Sequence, residues 1–343
     1  MAQDKVHRIV ISGPGGPENL KLVEETRPIP SAGQVRIAVE AAGLSWGDVM
    51  MRRGIFFRGS LSFPMTPGYD VVGRIDALGE GVSTHRVGDR VAALTIMGGY
   101  ADYICVPEDW LTPVPDSVDA AEAAAVVLNY ATAYQILHRE AKLQQGASFL
   151  VHGGAGGVGT ALLDLGRQMR AKTFGTSSAG KLDIVRSFGA TALDYKNENI
   201  ERRMAGLMPD GVDAVFDSRA GGALWESRRL ASRRGHVVAF GITDALKDGR
   251  RDLSAVAALM FFLASTRILP GPRTSLYAID QVIPRDRASV IEDTKVLFGL
   301  LAKGEIKPLV SERFALADAV RAHTVLENRS AVGKLVFTPL PAS

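Results

Sequence analysis

Residues 151–166 read VHGGAGGVGTALLDLG. The apolar stretch ASFLVHG runs into glycines at 154, 156 and 159, and the chain continues as an amphipathic helix with Val158, Leu162, Leu165 and Met169 on one face. Glycines spaced G-x-G-x-x-G lack the Cβ atoms that would keep a phosphate from the backbone amides, and the positive end of a helix favours the anion. Such a spacing alone is a weak signal. Between a strand and a helix, with further strands following, it reads as a dinucleotide-binding turn, with Gly154, Gly156, Gly157, Val158 and Gly159 expected at a pyrophosphate.

The stretches around the turn support that reading. AKTFGTS, ATALDY, VDAVFDS and GHVVAFG are apolar on both faces and alternate with helices expected at 158–170, 179–188, 197–208 and 222–232. That rhythm implies a doubly wound, Rossmann-type parallel sheet covered on both sides. Up to about residue 127 the pattern is different: short strands such as VRIAVEAAG, VVGRIDALG and YADYICVPE are broken by Gly and Pro, which predicts a mainly-β region with little helix. After about 266 come a helix around Ala288 to Lys303, a strand near KPLVSERF, the helix ADAVRAHTVLEN and a closing strand, GKLVFTP. The simplest division gives a nucleotide-binding domain at 128–265 and a second domain built from 1–127 and 266–343. A chain of 343 residues is long enough for two cores, and a small-molecule site would be expected in a cleft between them.

Composition narrows the function classes. Net charge is +3, with basic and acidic residues interspersed, and the cluster Arg228, Arg229, Arg233 and Arg234 reads as one solvated helix face, so no nucleic-acid partner is implied. A single cysteine, Cys105, excludes an intramolecular disulfide framework and a cysteine-rich zinc cluster and suits a reducing, cytoplasmic setting. The start, MAQDKVHRIVISGPGG, shows no secretory signal. The longest apolar run, Ala255 to Ala264 (AVAALMFFLA), is too short for a bilayer, which takes roughly 20 residues, and reads as a buried or interface helix. No membrane partner is expected.

The end of the second strand distinguishes NAD from NADP, because an acid there would accept from the ribose 2′-hydroxyl and repel a 2′-phosphate. Here the chain reads Gly175-Thr176-Ser177-Ser178 and then Lys181, hydroxyls and a cation with no acid, which points to NADPH. Ser as a helix N-cap with a solvated lysine is the alternative at those positions.

RPIPSAGQVRIAVEAAGLSWGDVMMRRG, PGYDVVGRIDALGEGVSTHRVGDRV, GGYADYICVPE, the AGGVG turn, VFDSRAGGALW and LLAKGEIKPLVSERFALADAVRAHTVLENRSAVGKLV occur in that order. Together they make nearly the whole chain resemble the medium-chain dehydrogenase/reductase superfamily, in its zinc-independent quinone oxidoreductase branch. The resemblance implies a GroES-like, mainly-β catalytic domain beside the Rossmann domain, and a homodimer formed through the nucleotide-binding domains, with 255–277 as the candidate segment. Zinc alcohol dehydrogenases of the superfamily place a cysteine in G-x-C-x-x-D and a histidine in G-H-E. Here those stretches are GLSWGD and GYD, so Ser45 and Tyr69 stand where the metal ligands would be, and the six histidines show no ligand spacing. No metal is expected, and His152 reads as a strand-end hydrogen-bonding residue.

The resemblance carries cofactor contacts onto Thr132, near the nicotinamide or the phosphates, onto Thr176, Ser177, Lys181, Tyr195 and Arg329 around the 2′-phosphate, and onto Ser218, Phe240 and Gly241 along the adenosine and nicotinamide. Thr176, Tyr195, Ser218 and Gly241 also fall near the carboxyl ends of successive parallel strands, where ligands bind such sheets. Tyr195 as a surface aromatic and Arg329 as a solvated cation remain open. Ser45, Asp48 and Met50 are the candidate catalytic residues on the segment that faces the nicotinamide in the family, with Trp46, Met51, Phe56 and Phe57 as apolar lining. Ser45 and Met50 replace the Asn and Tyr often found there, and Asp48 reads more readily as a structural acid bonding backbone than as a catalytic group. Without zinc, an electrophile activated by its own conjugation is the natural acceptor. The expected function is NADPH-dependent hydride transfer to quinones or α,β-unsaturated carbonyl compounds, the alternatives being a specialised enoyl or polyketide-pathway reductase and a non-catalytic NADPH-binding protein.

Overall fold

In the computed structural model, residues 5–55, 61–219, 221–241, 246–247, 250–251 and 253–338 are described. The chain divides into two compact units, Met1–Ala131 with Arg287–Ser343, and Thr132–Asp286.

The unit Thr132–Asp286 is built on six strands in the order Thr191–Asp194, Lys172–Ser177, Ser148–His152, Val212–Asp217, Ala231–Ala239 and Arg273–Leu276. Every pairing is parallel. The central strand SFLVH is buried at every residue, as a strand covered on both faces must be. Leu150, Phe174, Leu193, Val215 and Val237 pack in one core with Met204, Leu224 and Phe262 from the helices. Helices Gly157–Gln168, Leu182–Ser187, Ile200–Leu207 and Ala223–Leu230 follow the expected rhythm.

Two expectations change here. The sixth strand, Arg273–Leu276, pairs with Ala231–Ala239 and draws 266–286 into this unit, so the second junction falls between Asp286 and Arg287 rather than at 265. The helix Ile279–Ala302 carries Pro284 and leaves helical geometry at Asp286 (φ −153°, ψ 61°), where two helices meet across a kink. The arginine cluster is also not one helix face. Arg228 donates to the carbonyls of Pro270 and Pro272, Arg229 pairs with Glu201, and Arg233 and Arg234 belong to the following strand.

In the other unit a seven-stranded sheet centres on Gln34–Leu44. Its first half pairs antiparallel with Tyr103–Pro107 on one edge, and its last residues pair on the same edge with Lys334–Phe337, so the C-terminal strand closes onto the N-terminal sheet. Asp70–Leu78 takes the other edge, followed by Arg90–Leu94 and Leu111–Pro113. The region is mainly β as expected, yet Trp46–Arg52 and Ala120–Ala125 are helices, the latter running on through a π-helical turn at Val126–Tyr130. No helix among the described residues is long and apolar enough to cross a membrane. The run Ala255–Ala264 lies in the helix Leu253–Ser265.

Candidate functional site

The glycine turn is built for close approach. Gly153 adopts φ +79°, a left-handed conformation that favours glycine. A Cβ on Gly154 would sit 3.1 Å from Gly175 Cα, and one on Gly159 would strike the carbonyl oxygen of Gly153, so the first glycine lets the turn lie against the neighbouring strand and the second lets the helix lie against the turn. Gly156 is the N-cap of Gly157–Gln168, and no side chain covers the first helical amides. Gly156 is exposed while Gly157 and Val158 are half-buried, which leaves backbone donors of a helix N-terminus where an anion can reach them. A pyrophosphate fits this cradle.

The neighbouring strand ends close around it. Ser218 Oγ donates to the His152 carbonyl at 3.4 Å, and the Phe240 amide donates to the Asp217 carbonyl at 2.9 Å. A Cβ on Gly241 would meet the Ser218 carbonyl oxygen at 2.6 Å. Asp217 is wholly buried and receives Ser227 Oγ at 2.5 Å and Arg219 Nη2 at 3.0 Å, while Arg219 also pairs with Glu226 at 3.0 Å. Burial alone would raise the Asp217 carboxyl, but the neighbouring His152, together with Arg219 and Ser227, holds it below its usual range. This network fixes the turn that carries Ser218, and sequence reasoning passed over it; the adjacent Asp-Ser-Arg at a strand end was its only signal.

At the second strand end the expected hydroxyl pocket is corrected. Thr176 and Ser177 are 2% and 4% exposed, because both faces of a parallel strand are covered. The residues left outside are Ser178 and Lys181, both half-buried, and Tyr195, which is 49% exposed and whose amide donates to the Ser177 carbonyl at 3.3 Å. Partial burial lowers the Lys181 ammonium pKa. Thr132 is buried at the start of this unit. Arg329 belongs to the other unit, in a left-handed turn (φ 54°) just beyond the helix Ala319–Glu327.

The candidate substrate segment forms a capping box. Ser45 is the N-cap of Trp46–Arg52; its Oγ accepts the Asp48 amide at 3.3 Å and donates to Asp48 Oδ2 at 2.7 Å, while its own amide donates to the same oxygen at 2.8 Å. Asp48 Oδ1 accepts from the Gly68 amide at 2.8 Å. Asp48 is fully buried, and burial raises its pKa to about 6. Both carboxylate oxygens thus hold the helix start and the segment at Gly68, which makes Asp48 a positioning residue rather than the catalytic one expected. Met50, Ser45 and Trp46 are half-buried, whereas Met51 is fully buried in the core and lines nothing. Phe56 and Phe57 lie outside the described residues.

Zinc does not fit this donor set. A serine hydroxyl already engaged on both sides and the buried, neutral phenol of Tyr69 are not ligands that hold this ion. Among the described residues no group of three or more His, Cys, Asp and Glu side chains is placed to hold a metal. Nearby, Lys334 Nζ pairs with Asp70 Oδ2 at 2.7 Å, with both residues buried, and only glycine at 43 leaves room for the pair.

The GroES-like domain of alcohol dehydrogenases matches residues 31–116, and the zinc-binding dehydrogenase domain matches 188–337. The rat synaptic vesicle membrane protein VAT-1 homolog is 32% identical over 340 residues, spanning 97% of this chain and 84% of that protein. Rat quinone oxidoreductase is 30% identical, spanning 94% of each. The crystal structure of Escherichia coli quinone oxidoreductase complexed with NADPH superposes with a TM-score of 0.85 at 27% identity, over 97% of this chain and the whole of that one. The chain therefore belongs to the medium-chain dehydrogenase/reductase superfamily, in the group that holds the quinone oxidoreductases and the VAT-1 homologues.

Proposed function

We propose that the protein is a metal-free, NADPH-dependent reductase of quinones or α,β-unsaturated carbonyl compounds. The observation that carries the reading is the edge of the glycine cradle. No acid occurs between Phe174 and Lys181, and the groups outside are Ser178, a lysine and a tyrosine, which suit a doubly charged ester rather than a bare ribose hydroxyl. The relatives named quinone oxidoreductase and the NADPH complex of one of them support it.

In this reading the amides of Gly157 and Val158 hold the pyrophosphate, Lys181, Ser178 and Tyr195 hold the 2′-phosphate, and Thr132, Ser218, Phe240 and Gly241 lie along the dinucleotide. Bound NADPH supplies a hydride equivalent. Ser45, Trp46 and Met50 face the acceptor, and Asp48 keeps their helix start in place. A conjugated acceptor spreads negative charge onto an oxygen, so hydrogen bonding suffices where a simple carbonyl would call for a Lewis acid. Protonation of a stabilised enolate needs only water.

The test is stopped-flow oxidation of NADPH against a quinone panel and an enone panel, with and without a zinc chelator. Turnover unaffected by chelator, with NADH the poorer donor, is expected. Tight NADPH binding with no turnover on either panel would replace this reading with a non-catalytic nucleotide-binding protein. Turnover confined to thioester-linked enoyl substrates would make it a specialised enoyl reductase.

A further inference from the structure

Thr176 is the last-but-one residue of its strand and lies in register with His152 on the neighbouring one. Its hydroxyl oxygen is 3.2 Å from the Gly153 amide, which donates to it, and 3.3 Å from His152 Nδ1. Its carbonyl accepts from the Gly154 amide at 2.9 Å. Thr176 therefore ties down two consecutive amides of the glycine turn, one by side chain and one by backbone.

A threonine hydroxyl has one proton to give. With Gly153 donating into Oγ1, the hydroxyl pairs with His152 Nδ1 as donor or as second acceptor, and in either case the imidazole fixes its orientation. His152 Nε2 is buried without a hydrogen-bond partner. Burying a polar nitrogen without a partner costs free energy, so the histidine is kept in an unfavourable setting in which its other nitrogen serves the turn. Gly153 itself sits at positive φ, which glycine adopts without strain.

We infer that Thr176 and His152 are positioning residues for the glycine turn: the Thr176 hydroxyl, oriented by His152, fixes the Gly153 amide and so presents the cradle to the pyrophosphate, without reading the adenosine ribose at all. This rests on the proposed dinucleotide reading and deepens it. NADPH and NADH share the pyrophosphate and differ only at the 2′-position, so disturbing the turn weakens both alike, while disturbing the 2′-pocket changes their ratio.

Dissociation constants for both dinucleotides, from nicotinamide fluorescence titration of the full chain at 25 °C, separate the possibilities. Thr176→Val keeps the shape and removes the acceptor; it is expected to weaken NADPH and NADH by the same factor, about tenfold, the scale of one lost hydrogen bond. Thr176→Ser keeps the hydroxyl and is expected to restore both. His152→Leu, which strips only the orienting partner, should give a smaller but equally shared loss, and it decides the matter if Thr176→Val does not fold. Affinities within twofold of wild type, or loss of NADPH binding alone, would overturn the inference. A lowered thermal midpoint with unchanged affinities would overturn it too, by reducing the pair to a structural role. A wild-type protein that binds neither dinucleotide would instead overturn the parent reading and this one with it.

Discussion

Lys181 carries the choice of cofactor in the proposed reading. It stands directly before the helix Leu182–Ser187, half-buried, and the water it has lost disfavours its charge. A phosphate dianion beside it would return what burial takes away, which is the physical basis for preferring the phosphorylated dinucleotide. Lys181→Ala is expected to weaken NADPH about tenfold, again the scale of one charge-assisted bond, and NADH by less than twofold. Equal losses in a fluorescence titration would reject this role. At this scale the sequence was legible in kind and less so in direction. The run Thr176, Ser177 and Ser178 does supply hydroxyls, but the covered strand turns the first two inward and leaves only the third near the surface. The S-x-x-D spacing of Ser45 and Asp48 is a capping signal in its own right, and it accounts for the structural reading of Asp48 that stood beside the catalytic one. Gly153 and Arg219 went unnoticed because the importance of one lies in its φ and that of the other in its pairing with Asp217 and Glu226, which no motif marks.

Among the elements, the apolar strands were readable, the edge strand Thr191–Asp194 included, and the polar edge strand was not. Ser148–His152 and Val212–Asp217 announce themselves by unbroken apolar runs, whereas Arg273–Leu276, RTSL, is short, polar and paired on one side only. The helix Leu253–Ser265 divides the same way. Phe262 is 1% exposed and meets Trp225 edge-on at 5.0 Å, but Met260 and Phe261 are 61% and 67% exposed. Ile268, Leu269 and Leu276 add to the exposed apolar residues of this stretch. Apolar residues gathered in this way commonly mark a protein interface, which is in keeping with the dimer that the family resemblance implies through 255–277. On that basis the protein is expected to sediment at twice its 36.6 kDa chain mass. Phe261→Glu combined with Leu269→Glu should shift it to monomer with its thermal midpoint above room temperature. Wild-type sedimentation as a monomer at micromolar concentration would dismiss the dimer.

Over the whole molecule the buried ionisable groups are shared unevenly between the two units. Thr132–Asp286 holds His152, whose pKa burial pushes down to about 4, and His236, also lowered by burial. The other unit holds His323, pushed down to about 3 by burial, and Asp48, pushed up to about 6 by the same cause. An imidazole with a folded pKa below its unfolded value of about 6.5 takes up a proton more readily when unfolded. Its contribution to stability is complete above pH 6.5 and is lost as pH falls toward the folded value. Asp48 runs the other way: with a folded pKa above its unfolded value of about 3.9, it costs stability above pH 6 and that cost fades as pH falls. Between about pH 6 and pH 4 the slopes of His323 and Asp48 oppose one another, each up to about 1.4 kcal/mol per pH unit. In the nucleotide-binding unit His152 and His236 act together with no raised carboxyl among them to offset the loss. Lowering the pH from 7 to 5 should therefore weaken Thr132–Asp286 more than its neighbour. Amide exchange, corrected for its intrinsic pH dependence, should show protection falling more in Ser148–His152 than in Gln34–Leu44, and His152→Leu should remove much of the difference. Equal loss of protection in both strands would contradict the assignment, because it would mean that His152 titrates alike whether the glycine turn is folded or open.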